Sequence, residues 1–199
     1  MATSTFNGPV RSEKGFQQIS KSANGTITVT SGAKMATEAT ASAGIEGTAA
    51  VYVTQVNRLK SDVDTNVNIV KTTIMIDLTG LKDGGTAGDI IGKDGSGVAF
   101  IGKVTTANQG TVFGVTMTCL ETPAGGSTDI DLFSATEGTG VNDTAIGDLT
   151  ETQIINAGAA SAGTVVAGGD IAADQFLYSV SQGTGDATYT AGRFLIEIT

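Results

Sequence analysis

Residues Thr111–Leu120 read TVFGVTMTCL and form the most regular pattern in the chain. Apolar side chains occupy the odd positions from Phe113 to Cys119, while glycine and threonine occupy the even positions between them. A period of two is typical of a strand with one buried face and one face toward solvent. The pattern predicts that Phe113 and Cys119 both lie in a core, where a thiol behaves as a small apolar group.

Several other segments alternate in the same way and are bounded by Gly, Asp or Asn turn signals. Val67–Leu78 is predicted to place Ile74, Ile76 and Leu78 on one face, and Asp148–Ile155 is predicted as a short helix because Thr150 and Gln153 have capping-box spacing. The remaining predicted strands are Thr26–Thr30, Thr48–Val56, Val98–Val104, Thr128–Phe133 and a terminal hairpin that joins Phe176–Val180 to Phe194–Ile198.

The composition favours strands and turns over helices. The chain has 28 glycines in 199 residues, about twice the usual share, and aromatic residues make up only 5% of it. Many short strands with frequent turn signals predict an all-β fold, a sandwich or barrel. We expect a jelly-roll-like β-sandwich over residues 65–199, preceded by an extended N-terminal arm and a small β region over residues 1–64.

Charge and residue content exclude several classes of protein. The chain contains no histidine, which excludes Ser-His-Asp and Cys-His catalysis and His-liganded zinc. Net charge is −9, with +2 on residues 1–75 and −11 on residues 76–199, so we expect no nucleic acid partner and an N-terminal docking surface. Cys119 is the only cysteine, so no intrachain disulfide can form. No apolar run of about 20 residues and no signal-peptide pattern occur, which predicts a soluble protein without a membrane partner, made in a cytoplasm.

Three groups of residues could carry chemistry, and each has a plainer interpretation that we favour. Gly97–Lys103 resembles the start of a phosphate-binding loop, but Val104 stands where Ser or Thr is required, so a buried strand is favoured. The second group is an aspartate set that could bind Ca²⁺, although solvated turn carboxylates are favoured. The third could be a catalytic pair, although a charged solvent face beside inward Ile130 and Leu132 is favoured. The second group consists of Asp83, Asp89 and Asp94, and the third group consists of Asp129 and Asp131. We therefore assign no catalytic, cofactor-binding or metal-binding residues and expect no enzyme activity.

Four segments resemble virion structural proteins of marine tailed phages, such as those that infect cyanobacteria. They are FNGPVRSEKGFQ (Phe6–Gln17), VKTTIMIDLTGL (Val70–Leu81), IIGKDG (Ile90–Gly95) and YTAGRFLIEI (Tyr189–Ile198). The resemblance implies a capsid decoration or cement protein that binds the major capsid protein on the outer surface of the virion after synthesis in the host cytoplasm. By analogy with other phage heads it also implies self-association as a homotrimer. An extended arm could add a strand to a neighbouring sheet, and Arg11, Lys14 and Lys21 could contact acidic surfaces.

Two alternatives remain open at the level of sequence. A tail or fibre component that binds a host-surface glycan would carry exposed aromatic side chains in loops, because sugars stack on rings. A hydrolase acting through paired carboxylates would place two of them within about 5–10 Å of each other in a cleft.

Overall fold

The computed structural model describes residues 17–21, 27–32, 42–45, 50–59, 67–95 and 97–199. The chain divides into two compact units, Met1–Met35 and Ala36–Thr199. In the first unit, β1 (Gln17–Lys21) and β2 (Ile27–Gly32) pair antiparallel as a sheet of their own. The strand predicted at Thr26–Thr30 corresponds to β2. The rest of the arm predicted over residues 1–25, namely residues 1–16 and 22–25, lies outside the described residues.

Ten strands of the second unit form two antiparallel sheets, which confirms the all-β prediction. Sheet I has the order β10-β7-β12-β4-β3, and sheet II has the order β5-β11-β8-β9, with β6 also pairing with β11. The strands of sheet I are β3 (Ala50–Leu59), β4 (Val67–Asp77), β7 (Val115–Ala124), β10 (Val165–Gly168) and β12 (Ala191–Ile198). The strands of sheet II are β5 (Asp89–Ile90), β6 (Gly102–Lys103), β8 (Ile130–Ala135), β9 (Glu151–Ile155) and β11 (Phe176–Ser181).

Helical structure is confined to two short turns within the described residues, α1 (Thr106–Gln109) and a 3₁₀ turn at Ile146–Asp148. The two sheets are consistent with a sandwich, and the jelly-roll connectivity stays a prediction. The predicted domain boundary between residues 64 and 65 falls between β3 and β4, which pair over ten residues without a register shift. The second compact unit therefore begins before β3, at Ala36.

The inner face of sheet I is apolar because its strands alternate as the sequence predicts. In register, Ile76 of β4 lies opposite Phe194 of β12, which in turn lies opposite Cys119 of β7. One step along, Ile74 and Met117 flank Ile196 in the same way, and all six side chains are buried. Full burial of an Ile, Phe or Met side chain contributes roughly 1.5–3 kcal/mol.

Sheet II is buried on both faces at its centre, which the sequence did not predict. All six residues of β8 are buried, so Asp131, with 1% of its surface exposed, does not belong to a solvent face as predicted. The second face is covered by the segment that follows β8. The Tyr178 hydroxyl on β11 donates to the Glu137 carbonyl at 2.8 Å and accepts from the Gly140 N–H at 3.2 Å.

Two predicted elements at the C-terminal end are wrong. The terminal hairpin does not form because β11 joins sheet II and β12 joins sheet I. The predicted helix at Asp148–Ile155 is instead the strand β9, preceded by the 3₁₀ turn. In place of the predicted capping box, Thr150 bonds a more distant residue: the Glu137 carboxylate accepts from both the N–H and the hydroxyl of Thr150.

The strand prediction for Thr111–Leu120 is correct from Val115 onward and wrong at Phe113, which is 65% exposed. The ladder of β7 begins at Val115, and the N–H groups of Phe113 and Gly114 both donate to the Thr199 carbonyl. The alternation is lost at this junction, and Val112 is buried instead of Phe113. The predicted strand Val98–Val104 is likewise shorter: a bridge at Val98 and the two residues of β6 are its only ladder positions.

Candidate interaction surface

The outward face of sheet I carries a row across four neighbouring strands that is apolar except for one threonine. Met75 of β4 lies opposite Leu195 of β12, Leu195 lies opposite Thr118 of β7, and Thr118 lies opposite Val165 of β10. Val165 is 61% exposed and Met75 is 36% exposed. Exposed Leu120 lies on β7 two residues beyond Thr118. We call this set, Met75, Leu120, Thr118, Val165 and Leu195, the outer row.

Ion pairs lie on both sides of the outer row. On one side, the Arg193 Nε donates to Asp77 Oδ2 at 2.9 Å and lies 3.6 Å from Glu121 Oε2. On the other side, Lys71 pairs with Glu197. Hydrogen bonds from Thr79, together with Arg193, hold the pKa of the Asp77 carboxyl below its usual value. The row is therefore an apolar strip between two partly neutralised charged groups.

This face carries little net charge compared with the rest of the sheets and their loops. Residues 67–199 contain five basic and fifteen acidic side chains. Two of the basic and three of the acidic ones belong to the ion pairs beside the outer row. The remaining three basic and twelve acidic side chains of residues 67–199 lie elsewhere, so within this part of the chain the repulsion of anionic partners is weakest at the outer face of sheet I.

A cleft of about 570 Å³ lies beside β8 and β9 and is rich in hydroxyl groups. Val112 and Ile171 give it an apolar part, and Glu151 and Asp170 add two carboxylates. The hydroxyl-bearing residues of its wall are Thr106, Thr111, Ser134, Thr136, Thr150 and Thr152. Hydroxyl and carboxylate groups of this kind exchange hydrogen bonds with polar, uncharged ligands.

The three aspartates considered for Ca²⁺ do not converge. The buried Asp83 carboxylate accepts from the Ser127 N–H at 2.9 Å and from the Ala187 N–H at 2.7 Å. The buried Asp89 carboxylate accepts from Thr86 N–H in its own turn, and exposed Asp94 pairs with Lys82. Asp83 and Asp89 are therefore internal hydrogen-bond acceptors, and the favoured prediction of solvated carboxylates is wrong for both.

Asp131, near the start of β8, links this strand to β9 and to the chain beyond it, and Asp129 lies just before the strand. Asp131 accepts from Gln153 Nε2 at 2.8 Å and from Ala157 N–H at 2.9 Å, one bond to each carboxylate oxygen. Asp129 Oδ1 is buried and has no hydrogen-bond partner among the described residues. Burial, and secondarily the charge of Asp131, raises the pKa of Asp129 above its usual value.

The other residues singled out in the sequence lie in strands or extended segments, or outside the described part of the chain. Within Gly97–Lys103, Ile101 N–H bonds the Leu177 carbonyl and Gly102–Lys103 pairs with β11, an extended arrangement. Cys119 is buried in β7, as predicted, and burial raises the pKa of its thiol. Lys21 is the last residue of β1, whereas Arg11 and Lys14 lie outside the described residues.

In the described part of the chain, no three acidic, cysteine or histidine side chains come together in a way that could hold a metal ion. The same residues include no helix that is long and apolar enough to cross a membrane.

Comparison with known proteins gives no relative: no family model matches the sequence. Searches of curated proteins and of solved structures also give no match.

The outer row was missed by sequence reasoning. Its members come from four strands, and only their register brings them together. Two signals were present in the sequence: Met75 and Leu195 occupy outward positions of strands whose alternation was recognised, where a polar residue is usual. A single apolar residue on an outward face does not indicate a protein contact surface. Its neighbours on the adjacent strands must be known before such a surface can be recognised.

Proposed function

We propose that the protein is a non-catalytic structural component of a phage virion that binds and stabilises the capsid as a decoration protein. Its partner would be the major capsid protein at the outer surface of the shell, and copies would associate as a homotrimer. The phage context comes from the sequence resemblance. The observation that supports protein contact is the outer row, an apolar strip between ion pairs on an otherwise acidic molecule.

The outer face of sheet I has the composition of a protein contact. Interface centres are depleted in charge and enriched in apolar and Met side chains, and their rims are polar. The outer row follows this arrangement, with Met75 and Leu195 at its centre and Arg193 and Lys71 at its sides. The strongly acidic loops elsewhere would then face solvent and keep decorated particles apart.

The size of this face indicates that a single copy binds weakly. Five strands at about 4.8 Å spacing and six residues at about 3.4 Å give roughly 20 Å by 20 Å, or about 400 Å² per partner. Stable complexes bury about 800 Å² per partner. A decoration protein with this contact therefore needs several linked copies, because linkage raises the effective concentration of each further contact.

The proposal is tested by adding the protein to purified capsid shells that lack it. We expect the decorated shells to withstand higher temperature, and we expect Met75→Lys to weaken binding by about tenfold or more because it buries an unpaired charge. Val141→Lys is the matched control, since Val141 has the same 36% exposure and lies away from sheet I. Equal shell stability with and without the protein, or equal binding by both variants, would contradict the proposal.

A second candidate function is glycan binding by a tail or fibre component. Two observations favour it: Phe113 is an exposed aromatic side chain in a loop, and its neighbour Val112 belongs to the hydroxyl-rich cleft. Sugars stack on aromatic rings while their hydroxyls bond polar side chains. A glycan array tests this function. We expect Phe113→Ala to lose the signal and Val165→Ala, at a similarly exposed site on the outer row, to keep it.

A further inference from the structure

We propose that the β1–β2 hairpin of one copy adds to the edge of β3 in a second copy that has no partner among the described residues, and extends its sheet I. This proposal rests on the self-association included in the proposed function, and it names the two surfaces that meet. The donor is the first compact unit, and the acceptor is the outermost strand of the second.

The edge of β3 differs from the other sheet edges. In the described part of the chain, β3 has a ladder partner on one side only, β4, and pairs with it over ten residues without a register shift. Its sequence AVYVTQVNRL contains no proline, no lysine and a single charged residue, Arg58. Natural sheets usually protect edges by shortness, bulges, proline or charge, so a long and regular edge indicates a site of strand addition.

The other edges carry the protection that β3 lacks. β10 has four residues and β5 has two. β9 has five residues, begins with Glu151 and has a register shift where it pairs with β8. Among the strands that the structure describes, β3 is thus the acceptor with the longest run of available backbone groups.

The hairpin is a suitable donor because a two-stranded sheet is marginally stable in water by itself. Pairing with a third strand, β3 of another copy, gives hydrogen-bond partners to more of the hairpin's backbone groups and buries one of its edges. Its strands QQISK and ITVTSG contain one charged residue, Lys21, so no like-charge cluster opposes pairing with β3.

Charge favours the contact between the two kinds of unit. Met1–Met35 contains four basic residues and one acidic residue, for a net charge of +3. Ala36–Thr199 contains seven basic and nineteen acidic residues, for a net charge of −12. Two acidic units repel each other, whereas a basic unit of one copy is attracted to the acidic unit of the next.

The chain between donor and acceptor is long enough for exchange. From Gly32 at the end of β2 to Ala50 at the start of β3 there are 18 residue steps. An extended chain of that length spans up to about 60 Å, more than the diameter of a domain of this size. Because donor and acceptor differ, the interface is head-to-tail and generates a closed ring when the rotation between copies permits.

The first experiment measures the mass of the full chain in solution and locates the contact by amine cross-linking of a mixture of ¹⁴N- and ¹⁵N-labelled protein. We expect a closed oligomer in which links between Lys21 and Lys60, the residue directly after β3, join differently labelled chains. A monomer at all concentrations, or Lys21–Lys60 links confined to equally labelled chains, would overturn the exchange. A monomer would also remove the self-association from the proposed function, whereas capsid binding itself is decided separately by the shell experiment.

The second experiment compares variants of the full chain. Neighbouring residues in a strand point their N–H groups to opposite sides, so one of Val53→Pro and Thr54→Pro removes a bond to β4 and the other removes a donor from the free edge. We expect the edge variant to keep its unfolding temperature and to become monomeric. Oligomerisation that survives in both folded variants would contradict the use of this edge.

Charge variants test the attraction between the units. We expect Lys21→Glu to weaken association about tenfold and high salt to weaken it further. Lys93→Glu changes the net charge equally but lies on the acidic unit, so it should not weaken association. If both substitutions weaken association equally, the basic hairpin is not the donor.

Discussion

Buried carboxylates at the residue scale connect turns that are far apart in the sequence. Asp83 is the clearest case, because its two oxygens accept from Ser127 and Ala187, on turns 44 and 104 residues away. A carboxylate that receives two N–H groups in a buried site satisfies donors that the turns cannot pair by themselves.

Replacing Asp83 by Asn should destabilise the second unit. The amide oxygen can accept one of the two bonds, while the amide NH₂ meets the other N–H, so one buried donor is left unpaired at a cost of about 1–3 kcal/mol. Urea unfolding followed by circular dichroism measures the loss. Asp94→Asn is the control, since Asp94 is exposed and should change the midpoint little. Equal midpoints for the two variants would contradict the role given to Asp83.

Asp129 should show the opposite behaviour at neutral pH. Its raised pKa means that the folded state favours the protonated carboxyl. The stabilisation from that form is present below the ordinary aspartate pKa and is lost as the pH rises through the folded pKa. Asp129→Asn, which keeps a neutral side chain, should therefore unfold at a higher temperature than the wild type at pH 7, and the difference should shrink in acid.

The control for Asp129 is Asp170→Asn, at an exposed site. Thermal unfolding from pH 3 to pH 8 measures both variants. A wild-type protein that is more stable than Asp129→Asn at pH 7 would show that the charged carboxylate is stabilised by the fold, against the stated cause.

At the scale of elements, two glycines with nearly the same positive φ occupy turns of different crowding. Gly80 has φ +86° with open space where a Cβ would lie, and Gly125 has φ +89° with the Thr188 carbonyl oxygen at that place. Alanine at either position has the cost of a left-handed conformation, about 1–2 kcal/mol. Gly125→Ala adds a clash with backbone, which cannot rotate away as a side chain can.

We therefore expect Gly125→Ala to lower stability by about 3 kcal/mol or more and Gly80→Ala by about 1 kcal/mol. Urea midpoints of the two variants give the comparison, with each serving as the control for the other. Equal losses would mean that the turn between β7 and β8 yields to the added methyl group.

The elements that sequence alone predicted correctly are those with alternation on a single buried face. Ile74 and Ile76 in β4, and Phe194 and Ile196 in β12, were placed correctly because apolar residues recur there at every second position, on the face that is buried. β8 could not be read in this way, since Asp131 is buried by hydrogen bonds from residues more than twenty positions away. The strand β9 was predicted as a helix because Thr150 and Gln153 have capping-box spacing. In the structure Thr150 instead donates to Glu137, a residue thirteen positions away.

At the scale of the whole molecule, the sequence predicted the class of fold but not which strands share a sheet. β11 and β12 are consecutive and both alternate, yet they belong to different sheets, because the bonds that separate them join Tyr189 to Leu81 and Thr190 to Ala124. The outer row could not be predicted for the same reason. It exists only where Met75, Leu195 and Val165 come into register.

The single thiol gives a measure of how the second unit opens as a whole. Cys119 lies in β7, which has β10 on one side and β12 on the other, and its sulfur is 3.2 Å from the Glu121 carbonyl. Burial raises the pKa of the thiol, so both access and thiolate fraction are reduced in the folded protein. We expect labelling by a thiol reagent to proceed through unfolding of the sheet and to accelerate with urea along the slope of global unfolding.

The matched control carries Cys119→Ala and Leu120→Cys, which moves the thiol one residue to an exposed position. That variant should react at the rate of a free thiol and show little dependence on urea. Slow labelling of the wild type that does not depend on urea would indicate that the short edge strand β10 detaches locally and exposes Cys119. In that case β10, rather than sheet I as a unit, would set the kinetic stability of the surface that carries the outer row.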